Sequence, residues 1–409
     1  MKQLTSILTL IVAIVCYGQE PMVKTMPLPF ETGTNGVNTL GSRMTLEDET
    51  LYVPTTNGIW SINVNTTENG WISHGFEGEN LMECIHKGDE WLAITRNSNM
   101  RLLLRSTDNG NTVEDYTPYE LFPENKNRNV LRLCQDPANS DVIYLLSPYV
   151  GILKSTDFGK SWTLLREECN FNNTYCGFEI HPLNTDIILN NAENGALAPT
   201  IIISYNGGID WISSNGYPTA DIILPDHHAY MEDCIHDVAF HPTDINTWVY
   251  GGEGVIAKST DQGRTWTHKA ESWGYHYCTQ FDIENNGTIY SVGVNNRDNS
   301  GFLFMLSNDC GETWKNVFQY MPETPWYSDM KQTKENLILL GKKDLHVISK
   351  KDLTNTSGVQ DVNITDASNE TGNLYSIDGV LIKSNVNRQD IPCLPNGIYI
   401  HNGMKIVVK

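Results

Sequence analysis

The chain is poor in positive charge. Over 409 residues, 28 Lys and Arg stand against 49 Asp and Glu, a formal charge of −21. A surface that acidic repels phosphate backbones and anionic lipid, so nucleic-acid binding through a basic face is excluded. Long hydrophobic runs are also missing. The stretch from Leu4 to Cys16 is the most extended and falls short of the ~20 residues a bilayer span needs, so no transmembrane segment is expected. No Cys-x-x-Cys pair occurs, which removes the commonest structural zinc pattern; no metal and no cofactor is expected. Aromatics, by contrast, are plentiful. Ten Trp, 18 Tyr and 11 Phe within a 40% hydrophobic composition supply a core, and 32 Gly point to many tight turns.

Both ends of the chain read as addresses. Met1-Lys2-Gln3, the apolar stretch and then Tyr17-Gly18-Gln19-Glu20 have the make-up of a secretory signal peptide over residues 1–19, with cleavage near Gln19. A lipoprotein reading through Cys16 is the alternative, with Val15 standing where a small residue is preferred. At the other end, apolar residues alternate around Gly turns. The segments are Leu374-Tyr375-Ser376-Ile377-Asp378-Gly379, Leu394-Pro395-Asn396-Gly397-Ile398-Tyr399-Ile400 and Met404-Lys405-Ile406-Val407-Val408-Lys409. They read as a small β unit. This unit resembles the C-terminal sorting domain of type IX secretion in Bacteroidetes, within a linker-plus-domain region 353–409. It departs from the longer forms, which carry an extra opening strand with a Pro-Asn-Pro element. The resemblance implies passage across the outer membrane, removal of the domain, and a secreted or surface-attached product. A plain β cap on the preceding domain is the alternative.

Residues 20–352 form a repeat. Five segments share one pattern: Ser106-Thr107-Asp108-Asn109-Gly110-Asn111-Thr112-Val113, Ser155-Thr156-Asp157-Phe158-Gly159-Lys160-Ser161-Trp162, Ser204-Tyr205-Asn206-Gly207-Gly208-Ile209-Asp210-Trp211, Ser259-Thr260-Asp261-Gln262-Gly263-Arg264-Thr265-Trp266 and Ser307-Asn308-Asp309-Cys310-Gly311-Glu312-Thr313-Trp314. Their starts lie 49, 49, 55 and 48 residues apart. Ser and Asp side chains bond the backbone of a tight turn, Gly supplies a backbone angle other residues resist, and Trp packs beneath the hairpin. The pattern is a turn staple, not a catalytic motif. It resembles the Asp-box (BNR) repeat of β-propellers, a family that includes sialidases, xyloglucanases, sortilin-type receptors and photosystem II assembly factors. The resemblance implies an all-β, seven-bladed propeller of four-stranded antiparallel blades, with six blades the alternative. The structural positions are Asp108, Asp157, Asn206, Asp261 and Asp309; Gly110, Gly159, Gly208, Gly263 and Gly311; and Trp162, Trp211, Trp266 and Trp314.

Two degenerate repeats flank the five. Residues 38–74 carry a decayed Glu68-Asn69-Gly70-Trp71, and residues 326–350 show three strands and no box. The stretch Met22–Phe30 is the candidate fourth strand of that last blade, which would join the two ends of the ring and remove its edges. Eight cysteines remain after Cys16. Cys169 and Cys176, close together in the loop joining blades three and four, are expected to form a disulfide in an oxidising compartment. Cys84, Cys134, Cys234 and Cys278 fall on innermost strands, where a buried free thiol is the alternative to pairing.

In this fold the loops leading into each innermost strand converge on the axis, on the face opposite the boxes. That axial mouth is the expected ligand site. Its candidate contacts are Glu83, His86, Arg132, Tyr175, His227, His228, Glu232, His236, Tyr275, His276 and Trp326. Blades five and six concentrate the chemistry, from Asp226 to Asp233, through His236-Asp237, to Trp273-Gly274-Tyr275-His276-Tyr277. Aromatics stack on sugars and a His or carboxylate moves a proton, so His228, Glu232, Asp233, His276 and Tyr277 are the catalytic candidates if there is catalysis. Solvated loop polarity is the plainer reading of the same residues. His181 and His241, each before a Pro in a strand turn, read as structural.

Two functions follow. One is an exported or cell-surface propeller, expected to be a monomer, that binds a glycan or a surface protein and meets the type IX machinery through its C-terminal domain. The other is a carbohydrate-active enzyme, a glycoside hydrolase or polysaccharide lyase, using the blade five and six cluster. Whether the chain is an enzyme stays open. Sialidase is disfavoured: there is no Arg-Ile-Pro element, and ten Arg leave few for a carboxylate-clamping triad.

Overall fold

The structure, a computed structural model, describes residues 23–33, 42–66, 70–96, 101–122, 129–147, 150–167, 177–192, 200–215, 235–295, 301–317, 327–356, 371–376, 381–387, 397–401 and 404–408. The chain divides into two compact units, Met1–Ser349 and Lys350–Lys409.

The first unit is a seven-bladed propeller of antiparallel sheets. Short runs of apolar residues alternate with Gly-, Asn- and Asp-rich turns, so each repeat folds back on itself as a meander of four strands. Blade one runs Thr45–Glu47, Thr50–Thr55, Gly58–Asn63 and Ile72–Ser73; blade two runs Leu81–Lys87, Glu90–Thr95, Leu103–Ser106 and Glu114–Asp115. Blades three and four begin at Arg132–Asp136 and Phe178–Ile180. Blades five and six form one continuous sheet, because Thr267–Phe281 is both the outer edge of the fifth and the innermost strand of the sixth. Blade seven supplies Asp329–Gln332, Asn336–Leu340 and Asp344–Ser349. Its fourth strand is the N-terminal Val23–Pro27, which pairs antiparallel with the last of these, Val23 opposite Ile348 and Pro27 opposite Asp344. Trp71 of blade one donates its indole N–H to the Pro27 carbonyl at 2.9 Å, so the closing strand is tied to both sides of the seam.

The core lies between blades rather than in one centre. Met26, Met44, Leu51, Val53, Ile338 and Leu345 fill the seam between blades seven and one. Trp248, Tyr250 and Trp266 pack with Ile203 and Leu189 between blades five and four. Trp248 and Trp266 are fully buried, and each such ring is a large share of the apolar area that holds two blades together.

The five Ser-x-Asp/Asn-x-Gly turns have one geometry. The Ser hydroxyl accepts the N–H of the Gly four residues on, at 2.8 to 2.9 Å, and donates to the Asp or Asn two residues on. Oδ1 of that Asp or Asn then accepts the N–H four residues further along. In four turns Oδ2 takes the hydroxyl of that same Thr or Ser; in the third, Asn206 Nδ2 donates to Asp210 at 3.0 Å instead. The Thr112 N–H and hydroxyl, with Ser106, hold the Asp108 carboxyl below its usual range. The residue before the Gly is also left-handed: φ is 56° at Asn109, 55° at Phe158 and 62° at Gln262. Its N–H bonds the turn between the first two strands, as Asn109 does to the Asp89 carbonyl at 3.1 Å and Cys310 to Gly287 at 2.7 Å. The boxes and those turns therefore share a face. At Gly263 φ is +75° and a Cβ would stand 2.5 Å from the Trp248 ring, so both angle and space require glycine.

The described cysteines Cys84, Cys134, Cys278 and Cys310 are free thiols; Cys169, Cys176 and Cys234 lie outside the described residues. Among those residues no helix is long and apolar enough to cross a membrane. The second unit opens with the helix Lys350–Thr356. It carries a four-stranded antiparallel sheet in the order Leu381–Asn387, Thr371–Ser376, Gly397–His401, Met404–Val408.

Candidate functional site

Seven side chains, one from each blade on or beside its innermost strand, surround the axis. In blade order they are Arg43, Glu83, Arg132, Glu179, Asp237, Cys278 and Asp329. Six stand five residues before the turn that follows, whereas Glu179 stands three before Pro182, with Gly177 in the equivalent place. The carboxylates reach across to the next blade's backbone. Glu83 Oε2 accepts the Leu133 N–H at 2.5 Å, Asp237 Oδ2 that of Thr279 at 2.8 Å, and Asp329 Oδ2 that of Met44 at 2.7 Å. Glu83 Oε1 also accepts from Arg132 Nε at 2.7 Å and lies 3.6 Å from Arg43 Nε. Lys331 stands 3.3 Å from Asp329.

Glu179 is held differently. Its Oε1 meets Arg132 Nη1 only at 3.6 Å, and neither atom has a hydrogen-bond partner among the described residues. Burial and the charge of Asp237 push its carboxyl up to about 7, against the pull of Arg132 and Arg43. Burial also raises Asp237 and pushes the Cys134 thiol up to about 12.

Beside this ring is a cavity of about 530 Å³. Arg43, Glu83, Arg132, Glu179 and Lys331 form its polar end. Leu46, Ile85, Leu133 and Ile180 wall it, and it extends to Pro137 and Pro182 in the turns between first and second strands. Those turns belong to the face that carries the boxes. The described cavity therefore runs toward the face opposite the one where the site was expected.

The expected contacts separate into groups. Glu83 and Arg132 come together in the ring. His86, three residues after Glu83, points to the other side of the strand, because side chains alternate. It stacks on Trp91 at 4.3 Å and 18°, with Nε2 3.1 Å from the Glu47 carboxylate, between blades one and two and away from the mouth. His276 is fully buried, its Nδ1 3.0 Å from the Ser291 hydroxyl and its Cβ against Gly251 of blade five. Burial holds its imidazole down to about 3, so it has neither the access nor the basicity of a general base. His236, Tyr275 and Tyr277 do meet. The His236 ring lies 4.9 Å from Tyr277 and 6.1 Å from Tyr275, and the two Tyr rings are parallel within 5° at 6.0 Å. Burial, then the charges of His276 and Arg43, hold His236 down to about 3. Tyr175, His227, His228, Glu232, Asp233 and Trp326 lie outside the described residues. His181 and His241 cap turns: each Nδ1 accepts a backbone N–H two residues on, at 3.1 and 3.2 Å.

Arg43, Glu179 and Lys331 were not singled out from the sequence. A faint signal exists for six of the seven ring residues, which stand five residues before the turn that follows; Glu179, three before Pro182, breaks that offset.

No protein-family model matches the chain, and no curated protein is similar to it. Solved structures share its fold. YCF48 from Cyanidioschyzon merolae is 13% identical over 81% of this chain and 99% of that one, with a TM-score of 0.57. YCF48 bound to a D1 peptide is 14% identical over 80% of this chain and 96% of that one, at 0.55. The GH74 xyloglucanase from Xanthomonas campestris is 14% identical over 80% of this chain but 53% of that one, at 0.54. At these identities the likeness establishes the propeller fold, which hosts many unrelated activities.

Proposed function

We propose that the chain is an exported or cell-surface Asp-box propeller that binds a protein segment or a glycan through its axial channel, and that its C-terminal sheet is a type IX sorting domain. The observation that carries the binding reading is the cavity of about 530 Å³ at the charged ring. Most of the ring's charges are spent on joining blades, through Glu83, Asp237 and Asp329. They leave a shaped polar end rather than an activated nucleophile with a base beside it. The peptide-bound YCF48 shows that a propeller of this fold accepts a peptide, and a protein ligand is the favoured class. The test is retention of the labelled chain on peptide and glycan arrays. Retention that Arg43→Ala and Lys331→Ala weaken supports the reading; no retention on either array removes it.

A second reading is a glycoside hydrolase or polysaccharide lyase at the opposite mouth. The parallel Tyr275 and Tyr277 rings, both half-buried, favour it, since aromatic pairs stack on sugars. His228, Glu232 and Asp233 would then be its acid–base candidates. New reducing ends or unsaturated sugars from a polysaccharide panel, lost in the His228→Ala and Glu232→Ala variants, would establish it.

A further inference from the structure

We propose that the axial cavity recognises a primary carboxamide, the side chain of an Asn or Gln in a bound peptide segment, between Arg132 and Glu179; this rests on the binding-propeller reading above. Arg132 is fixed from behind. Its Nε donates to Glu83 at 2.7 Å, its Nη2 reaches Cys134 Sγ at 3.5 Å, and Glu83 is itself anchored by the Leu133 N–H. The Arg132 side chain is 8% exposed, yet Nη1 has no hydrogen-bond partner among the described residues. It faces Glu179 Oε1, an acceptor in the same condition, across 3.6 Å. That gap is too long for a direct hydrogen bond, and a buried donor and acceptor left unmade are costly.

A ligand group that accepts from Nη1 and donates to Oε1 along one edge satisfies both atoms. A primary carboxamide has such an edge, with its carbonyl oxygen beside an N–H. A trans backbone amide does not, because its oxygen and hydrogen point to opposite sides. A ligand carboxylate would be drawn to Arg132 but would meet Glu179 and Asp237. A cation would meet Arg43, Arg132 and Lys331. A neutral group that both gives and takes a hydrogen bond avoids each conflict. Vicinal sugar hydroxyls share that pattern, and the walls decide between the two. Leu46, Ile85, Leu133 and Ile180 line the cavity, and the one aromatic among its described lining residues, Phe178, is 1% exposed with its ring packed against Tyr144 at 5.5 Å rather than open to a sugar face.

The experiment is calorimetric titration of the full chain at pH 8 with Ac-Ala-Leu-X-Leu-Ala peptides, where X is Gln, Glu or norleucine. They are capped as N-methylamides so that the side chain is the sole primary carboxamide. Cellotetraose runs beside them. The Gln peptide should bind about 10-fold tighter than the other two, the value of one good hydrogen-bond pair. Glu179→Met should remove that preference. Lowering the pH from 8 to 6 should shrink it in the wild type, as Glu179 takes up a proton amid Arg132, Arg43, Asp237 and Lys331; this arm stands even if the variant fails to fold. Equal binding of the Gln and norleucine peptides overturns the carboxamide and leaves a binding propeller. Cellotetraose binding that Glu179→Met abolishes, with no peptide bound, overturns it in favour of a diol. Binding of no ligand here overturns it as well, and failure on both arrays overturns the propeller reading too.

Discussion

Asp329 of the last blade accepts the backbone N–H of Met44 in the first, at 2.7 Å, across 285 residues of sequence. The bond spans the seam where the ring closes, and the Asp329 side chain is 3% exposed. Its Oδ1 takes the Met330 N–H at 2.9 Å, and Lys331 stands beside it. Asp329→Ala should lower the unfolding free energy by about 2 kcal/mol, since a buried N–H and an ammonium lose their partner together. The urea midpoint reports it. A change within about 0.5 kcal/mol, the scatter of ordinary surface substitutions, would show that the seam does not depend on this carboxylate.

The closing strand gives a second test. A chain beginning at residue 20 keeps Val23–Pro27, whereas one beginning at residue 29 leaves the edge Asp344–Ser349 unpaired. Unpaired edges invite association with another chain. Scanning calorimetry should show a lower and broader transition for the shorter chain, and size-exclusion chromatography should show oligomers. Identical melting of the two chains would mean that the ring closes without the strand.

Asn206 and Asp210 predict a coupling. The other four turns pair an Asp with a Thr or Ser hydroxyl; here the amide donates to a carboxylate. Asn206→Asp alone sets two carboxylates face to face and should cost about 1 kcal/mol or more. Adding Asp210→Thr restores the arrangement of the other turns and should recover it. The cycle should therefore show a coupling of about 1 kcal/mol or more. Additive effects would mean that the pair does not interact.

The buried histidines set a pH dependence. His181 is held down to about 4 and His236 and His276 to about 3, in each case chiefly by burial. All three are neutral in the fold near pH 6, while an unfolded chain takes up protons below about 6.5. The unfolded state then binds more protons, so stability falls as the pH drops from about 6.5 toward 4. Glu179, raised to about 7, works the other way, favouring the fold as the pH falls from about 7 toward its ordinary value. Three imidazole signals that stay fixed between pH 8 and 5.5 by NMR are expected. Movement of all three with midpoints near 6.5 would place them in water.

A separate consequence concerns Glu179 itself. Glu179→Gln removes a charge that burial disfavours, and should raise stability at pH 8 by about 1 kcal/mol while changing little at pH 4.5, where the carboxyl is already protonated. Denaturant titrations at the two pH values would show it. Equal effects at both would mean that the charge is not the cause.

The sequence by itself determined the repeat and the turn chemistry; it pointed to seven blades with six as the alternative, and the assembled sheets decided for seven. Ser106, Asp108, Gly110 and Thr112 bond to one another within a few residues, so their pattern can be read without knowing the rest of the molecule. The closing strand near residues 22–30 was legible for a related reason: a three-stranded last blade needs a fourth. The ring was not legible. Glu83 and Arg132 could be nominated as polar residues on an inner strand, but Arg43 and Glu179 come from other blades, and nothing local marks them as neighbours. Side-chain alternation, fixed only once register is set, sent His86 between blades one and two and Glu83 toward blade three. Burial, which exists only in the assembled ring, made His276 inaccessible and neutral and raised the Glu179 carboxyl. Hydrogen bonds within a turn are local and are written in contiguous residues, whereas the cavity and its charges depend on seven strands converging and on the water they exclude.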